Sequence, residues 1–124
     1  MTSTGHTTWY IPDGYLPPHS APGEYVSHES VCVLNVTQSD AHIVLTFYFE
    51  DREPLRDIRC TVPAERTVHI RLDKPEMTGG VQIPVGVPYA IRVESDVPII
   101  VQNSRLDATQ PACTLMTTMA FPAT

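Results

Sequence analysis

Twelve prolines and six glycines interrupt the 124 residues so often that no window remains for a helix of three turns with a clean 3.6-residue period. Helices are nearly excluded on that ground. Between the breakers lie short runs rich in Val, Ile, Thr, Tyr and Phe, whose branched or aromatic side chains fit a pleated surface. In Ile43 to Phe49 the period of two puts Ile43, Leu45, Phe47 and Phe49 on one face, which should be core. The polar connection Glu50 to Pro54 leads to Asp57 to Val62, and the two runs read as a hairpin. After the turn Pro63-Ala64-Glu65, Val68, Ile70 and Leu72 alternate with Thr67, His69 and Arg71, which gives one dry face and one polar face.

Val31 to Val36 is apolar on both faces, as expected of a central strand between layers. Tyr89 to Glu94 and Pro98 to Ser104 read as a second hairpin joined by Ser95-Asp96-Val97, with Pro98 at a strand start. Thr7 to Ile11 and Cys113 to Met119 read as terminal strands, at a sheet edge or paired with another copy of the chain. The count of seven to eight strands points to an all-β, antiparallel β-sandwich, jelly-roll-like, formed as a single domain over residues 1–124 with 1–6 and 121–124 loosely ordered. The connections 12–24 and 73–88 are long for so small a sandwich, which suits loops that line a site, cover an edge or meet a partner.

Purely apolar runs such as Val97 to Val101 fall far short of the ~20 residues of a spanning helix, so no membrane insertion is expected. Met1 to Thr8 has neither a basic residue nor an apolar stretch, and the chain reads as cytoplasmic without a secretory signal. Cys32, Cys60 and Cys113 are an odd set without C-x-x-C spacing and read as small buried residues outside any disulfide. A net charge of −6 repels phosphate backbones, which makes nucleic acid an unlikely partner.

Tests for catalysis give little. His6, His19, His28, His42 and His69 show no H-x-H or H-x-x-x-H spacing, so no metal site and no cofactor is expected. There is no G-x-S-x-G elbow, Asp51 and Glu53 fall in a solvated turn, and Gly79-Gly80 is not followed by Lys-Ser or a helix. The chain therefore reads as a binding protein and not an enzyme. Thr67, His69 and Arg71 form either a ligand-reading stripe or a solvated face with cross-strand ion pairs. Asn103, Arg105 and Asp107 repeat the pattern, and Arg105 can pair with Asp107 or with a neighbouring subunit. Trp9 is either a stacking platform or a core residue.

Taken in order, these motifs carry a resemblance that none carries singly. Trp9 with Gly14-Tyr15-Leu16-Pro17-Pro18, Ser27-His28-Glu29, Val31 to Asn35, Asp40-Ala41-His42, Glu53-Pro54, Thr61 to Ala64, Arg66-Thr67, His69-Ile70-Arg71, Ser95 to Ile99, Gln102 and Arg105-Leu106-Asp107 resemble the sensory rhodopsin transducer family. The resemblance runs from Trp9 to about Ala120. It implies a small cytoplasmic β-sandwich that assembles as a homotetramer, relays a signal or binds a small molecule such as a sugar, and in some relatives serves a membrane photoreceptor.

On that resemblance the leading expectation is a sensing module whose ligand-binding pocket comprises His28, Glu29, His69, Arg71, Gln102 and Arg105, with Trp9 as a stacking surface. The arginines would supply forked donors, His69 and Gln102 directional hydrogen bonds, and Glu29 an acceptor for hydroxyls. The alternatives are a signal-relaying partner of a membrane photoreceptor and, third, a jelly-roll metal enzyme. Apolar Tyr10, Ile11, Leu115 and Met116 on the terminal segments favour a homo-oligomer, a tetramer in particular.

Overall fold

The computed structural model of the protein describes residues 4–123. Eight strands follow one another: β1 His6–Gly14, β2 His28–Asn35, β3 Ala41–Phe49, β4 Leu55–Val62, β5 Arg66–Arg71, β6 Tyr89–Asp107, β7 Thr114–Met119 and β8 Phe121–Pro122. Among the described residues the only helical element is a three-residue 3-10 turn, Pro75–Met77. Every strand pairing is antiparallel, in the order β4-β3-β6-β1-β8 for the first sheet and β5-β2-β6-β7 for the second. The result is an antiparallel β-sandwich, and β6 belongs to both layers.

That double membership corrects the reading of residues 89–104 as a hairpin. Tyr89 to Ser95 pairs with β3 on one side and, up to Glu94, with β1 on the other, whereas Ile100 to Leu106 pairs with β2. Ser95-Asp96-Val97 is thus a bend where one strand passes from sheet to sheet. Ser95 Oγ accepts the Val97 N–H at 3.2 Å, and Asp96 accepts both the backbone N–H of His42 at 2.8 Å and its ring Nδ1 at 2.7 Å. Pro98 sits where the ladder changes partners, so its missing N–H does little harm.

The alternation of β3 and β5 holds in part: Phe49 and Val68, expected in the core, are only partly buried, and Thr46, on the opposite face of β3, is buried. Ile43, Leu45, Phe47 and Ile70 are buried, as is Leu72 just past β5, while Thr67 and His69 face outward. Strand β2 behaves differently from the two-faced reading. Val31 and Val33 are fully buried, but Leu34 is exposed and Cys32 half-exposed, so the outer face of the second sheet is uncovered in this chain. Cys113 is also exposed, in the turn before β7, and does not behave as a small core residue. His6 and Phe121–Pro122 lie in strands, within stretches expected to be loose; the same expectation for residues 1–3 and 124 falls outside the described residues.

Candidate functional site

The seven residues expected to form one pocket are divided by the fold among four places. Trp9 points into the core at 4% exposure, its Nε1–H shared between the carbonyls of His6 at 3.0 Å and Ile99 at 3.1 Å. It offers no free face for stacking. His69 and Gln102 lie on the outer face of the second sheet. There His69 of β5, Cys32 of β2, Gln102 of β6 and Met119 of β7 stand directly opposite one another across four strands. With Leu34, Thr67 and Ile100 they line an open groove of about 360 Å³.

His28 and Arg71 line a separate depression of about 310 Å³ with Tyr25, Lys74 and Leu106. The Arg71 fork is already engaged. Its Nε and Nη2 donate to the two Asp73 oxygens at 2.8 and 2.7 Å. Burial alone would raise the Asp73 carboxyl, but Arg71 outweighs it and holds the carboxyl below its ordinary value.

Glu29 and Arg105 do meet, inside the sandwich. They are opposed in the β2–β6 ladder, and Arg105 Nε donates to Glu29 Oε2 at 2.9 Å. Glu29 has no exposed surface; Oε2 also accepts the Tyr15 N–H at 3.3 Å, and Oε1 accepts the Tyr89 hydroxyl at 2.6 Å. Burial, then the Glu29 charge, push the Tyr89 phenol far up, so it stays a donor. Burial opposes the charge of Arg105, yet Glu29 and Asp13 more than restore it. The remaining reach of Arg105 goes to Asp13, with Nη2 at 3.5 Å from its carbonyl and 3.6 Å from its carboxylate. Arg105 does not pair with Asp107, which accepts instead from the Thr109 N–H at 3.0 Å and hydroxyl at 2.6 Å.

Glu29 is therefore a filled acceptor that ties the two sheets together, and its partners Tyr89 and Tyr15, like the Asp13 that Arg105 reaches, were missed in the sequence. Only Gly14 hinted at them. A Cβ there would fall 2.2 Å from Tyr89 Cε1 and 3.0 Å from Glu29 Oε1. Among the described residues no three His, Cys, Asp or Glu side chains converge as metal ligands would, and no helix is long and apolar enough to cross a membrane.

The sequence matches the model of the Anabaena sensory rhodopsin transducer family over residues 4–122. Among solved structures, Thermotoga maritima 1070 is 39% identical with a TM-score of 0.87, the match covering 98% of this chain and 97% of that one. The Anabaena sensory rhodopsin transducer is 42% identical with a TM-score of 0.74, covering 89% and 96%. No curated protein matches the chain.

Proposed function

Since the chain belongs to the Anabaena sensory rhodopsin transducer family, we propose that it is a non-enzymatic signal-relay module that works by docking protein surfaces, first a second copy of itself and then a membrane photoreceptor. Strand β7 carries this reading. All six of its residues are exposed, Leu115 at 70% and Met119 at 59%, and among the described residues only β6 pairs with it. An edge strand with apolar side chains open to water invites pairing and packing, and the exposed Leu34 with the half-buried Cys32 and Ile100 continue that surface across the second sheet. The free thiols agree with a cytoplasmic setting.

Sedimentation of the wild type is the test. The expected species is a tetramer of the 13.7 kDa chain, and Leu115→Asp with Met119→Asp should reduce it to smaller species that remain folded. A wild-type monomer at micromolar concentration would overturn the reading.

A second reading, sensing of a small hydroxylated molecule such as a sugar, draws support from the two polar depressions that carry His69 with Gln102 and His28 with Arg71. Calorimetry with sugars and sugar acids tests it, and silence across the panel would remove it.

A further inference from the structure

Where β3, β6 and β1 run side by side at the end of the first sheet, a cavity of about 270 Å³ opens. Its place follows from the register. Tyr48 of β3 and Ala90 of β6 are directly opposed, and such residues project to one side of the sheet. On the other flank of Ala90 the β1–β6 register slips between Ile11 and Gly14, so Pro12 and Asp13 stand against a single residue. Ala90 carries only a methyl group, which leaves the space between Tyr48 and Asp13 open.

The lining combines aromatic Tyr48, Phe49 and Tyr89 with the carboxylates of Asp13 and Glu50, and none of the lining residues is basic. Among the described residues Glu50 has no ion-pair partner. The Asp13 carboxylate stands 3.6 Å from Arg105, whose closer bond, at 2.9 Å, goes to Glu29, and 85% of the Asp13 side chain is exposed. The same neighbourhood shows twice what such a set holds. The Arg92 guanidinium carbon lies 5.9 Å from the Tyr48 ring centre, with Nε 3.1 Å from Glu94, and that of Arg52 lies 5.5 Å from the Phe49 ring centre, with Nε donating to Asp51 at 3.0 Å. Each is a guanidinium that meets one ring and one carboxylate. Both carboxylates lie outside the cavity lining, so Asp13 and Glu50 are left over.

We propose that this cavity binds an organic cation with a guanidinium head, read by Tyr48 and by the Glu50 and Asp13 carboxylates. A planar guanidinium stacks on aromatic faces and presents its N–H fork to carboxylates. The two carboxylates disfavour an anion, and the net charge of −6 draws cations toward the chain. The site shares no residue with β7, with the groove of His69 and Gln102, or with the depression of His28 and Arg71. It therefore stands or falls apart from docking on the second sheet and from the sensing of a sugar there.

Ethylguanidinium is the probe, with ethylurea as a control of the same shape without charge, ethylammonium as charge without the plane, and glucose. At constant ionic strength and up to about 20 mM, enough to saturate a site of about 1 mM affinity, ethylguanidinium should shift the backbone amide resonances of Asp13, Phe49, Glu50 and Ala90 in the intact protein, and the controls should not. Glu50→Gln, at an exposed position, and Tyr48→Leu should each weaken that binding about fivefold. A blocked Gly-Arg-Gly peptide separates the two sources of such a head. Binding as tight as that of ethylguanidinium assigns it to an arginine of a partner protein, and weaker binding assigns it to a free ligand. The proposal is overturned if ethylguanidinium leaves those resonances unmoved, if any control moves them equally, or if Glu50→Gln and Tyr48→Leu both bind the probe as the wild type does.

Discussion

Glu29 and Arg105 face each other across the β2–β6 ladder, and the 2.9 Å hydrogen bond between them joins a carboxylate with no exposed surface to a guanidinium that keeps 19% of its own. The pair sits where Gly14 and Tyr15 of the first sheet's end approach the second sheet, and Tyr89 closes the network from β6.

Removing Arg105 would leave the Glu29 charge buried without its cation, a loss of about 3–5 kcal/mol for Arg105→Ala. Tyr89→Phe deletes one charged hydrogen bond and should cost about 1.5–3 kcal/mol. The two share Glu29 as acceptor, so the double variant should depart from the sum of the singles. Urea unfolding of all three, read with the wild type, tests the coupling; exact additivity would mean the network does not act as a unit.

Gly14→Ala puts a methyl group into the Tyr89 ring, with nothing between them to give way but that ring and the Glu29 carboxylate. The expected loss is about 1–3 kcal/mol, from overpacking and from the displaced phenol. A Gly14→Ala protein as stable as wild type would show that Tyr89 has room to move.

Asp73 titrates below the ordinary 3.8 of a free carboxyl, because Arg71 outweighs the effect of burial. Its folded-state value lies below its unfolded one, so the stability it contributes is present above about pH 4 and is lost as pH falls through the lower folded value. Both side chains are partly exposed, which limits the effect to roughly 0.3–1 kcal/mol. Stability curves between pH 6 and pH 2 should therefore fall more steeply for the wild type than for Asp73→Asn. Parallel curves would contradict the pairing.

Cys60 and Cys113 should differ in reactivity. Burial pushes the Cys60 thiol up to about 11, while Cys113 is open to solvent. With iodoacetamide at pH 8, mass spectrometry of intact protein followed by digestion should find Cys113 modified first and Cys60 largely spared. Equal labelling would show that the β3–β4 hairpin opens on the timescale of the reaction.

Much of the architecture was readable in local terms. Prolines and glycines forbid helices one residue at a time, and the alternation in 43–49 and 66–72 assigns inner and outer faces because side chains on a strand change sides at every step. What local pattern could not decide was which strand each face would meet. Ser95-Asp96-Val97-Pro98 has the composition of a turn, yet β1 and β3 hold the segment before it and β2 the segment after, so the chain continues as one strand through both sheets.

The same limit divided the expected pocket. Alternation places residues on faces but carries no information about distance between strands far apart in sequence, so Trp9, Arg71 and Gln102 looked like neighbours and are not. It did hold the clue to Asn103 and Arg105, which continue inward from the buried Val101 at steps of two. That Glu29, itself held by Tyr89, and Asp13 would be waiting for Arg105 there, and among the described residues nothing for Asn103, is set by the packing of one sheet upon the other.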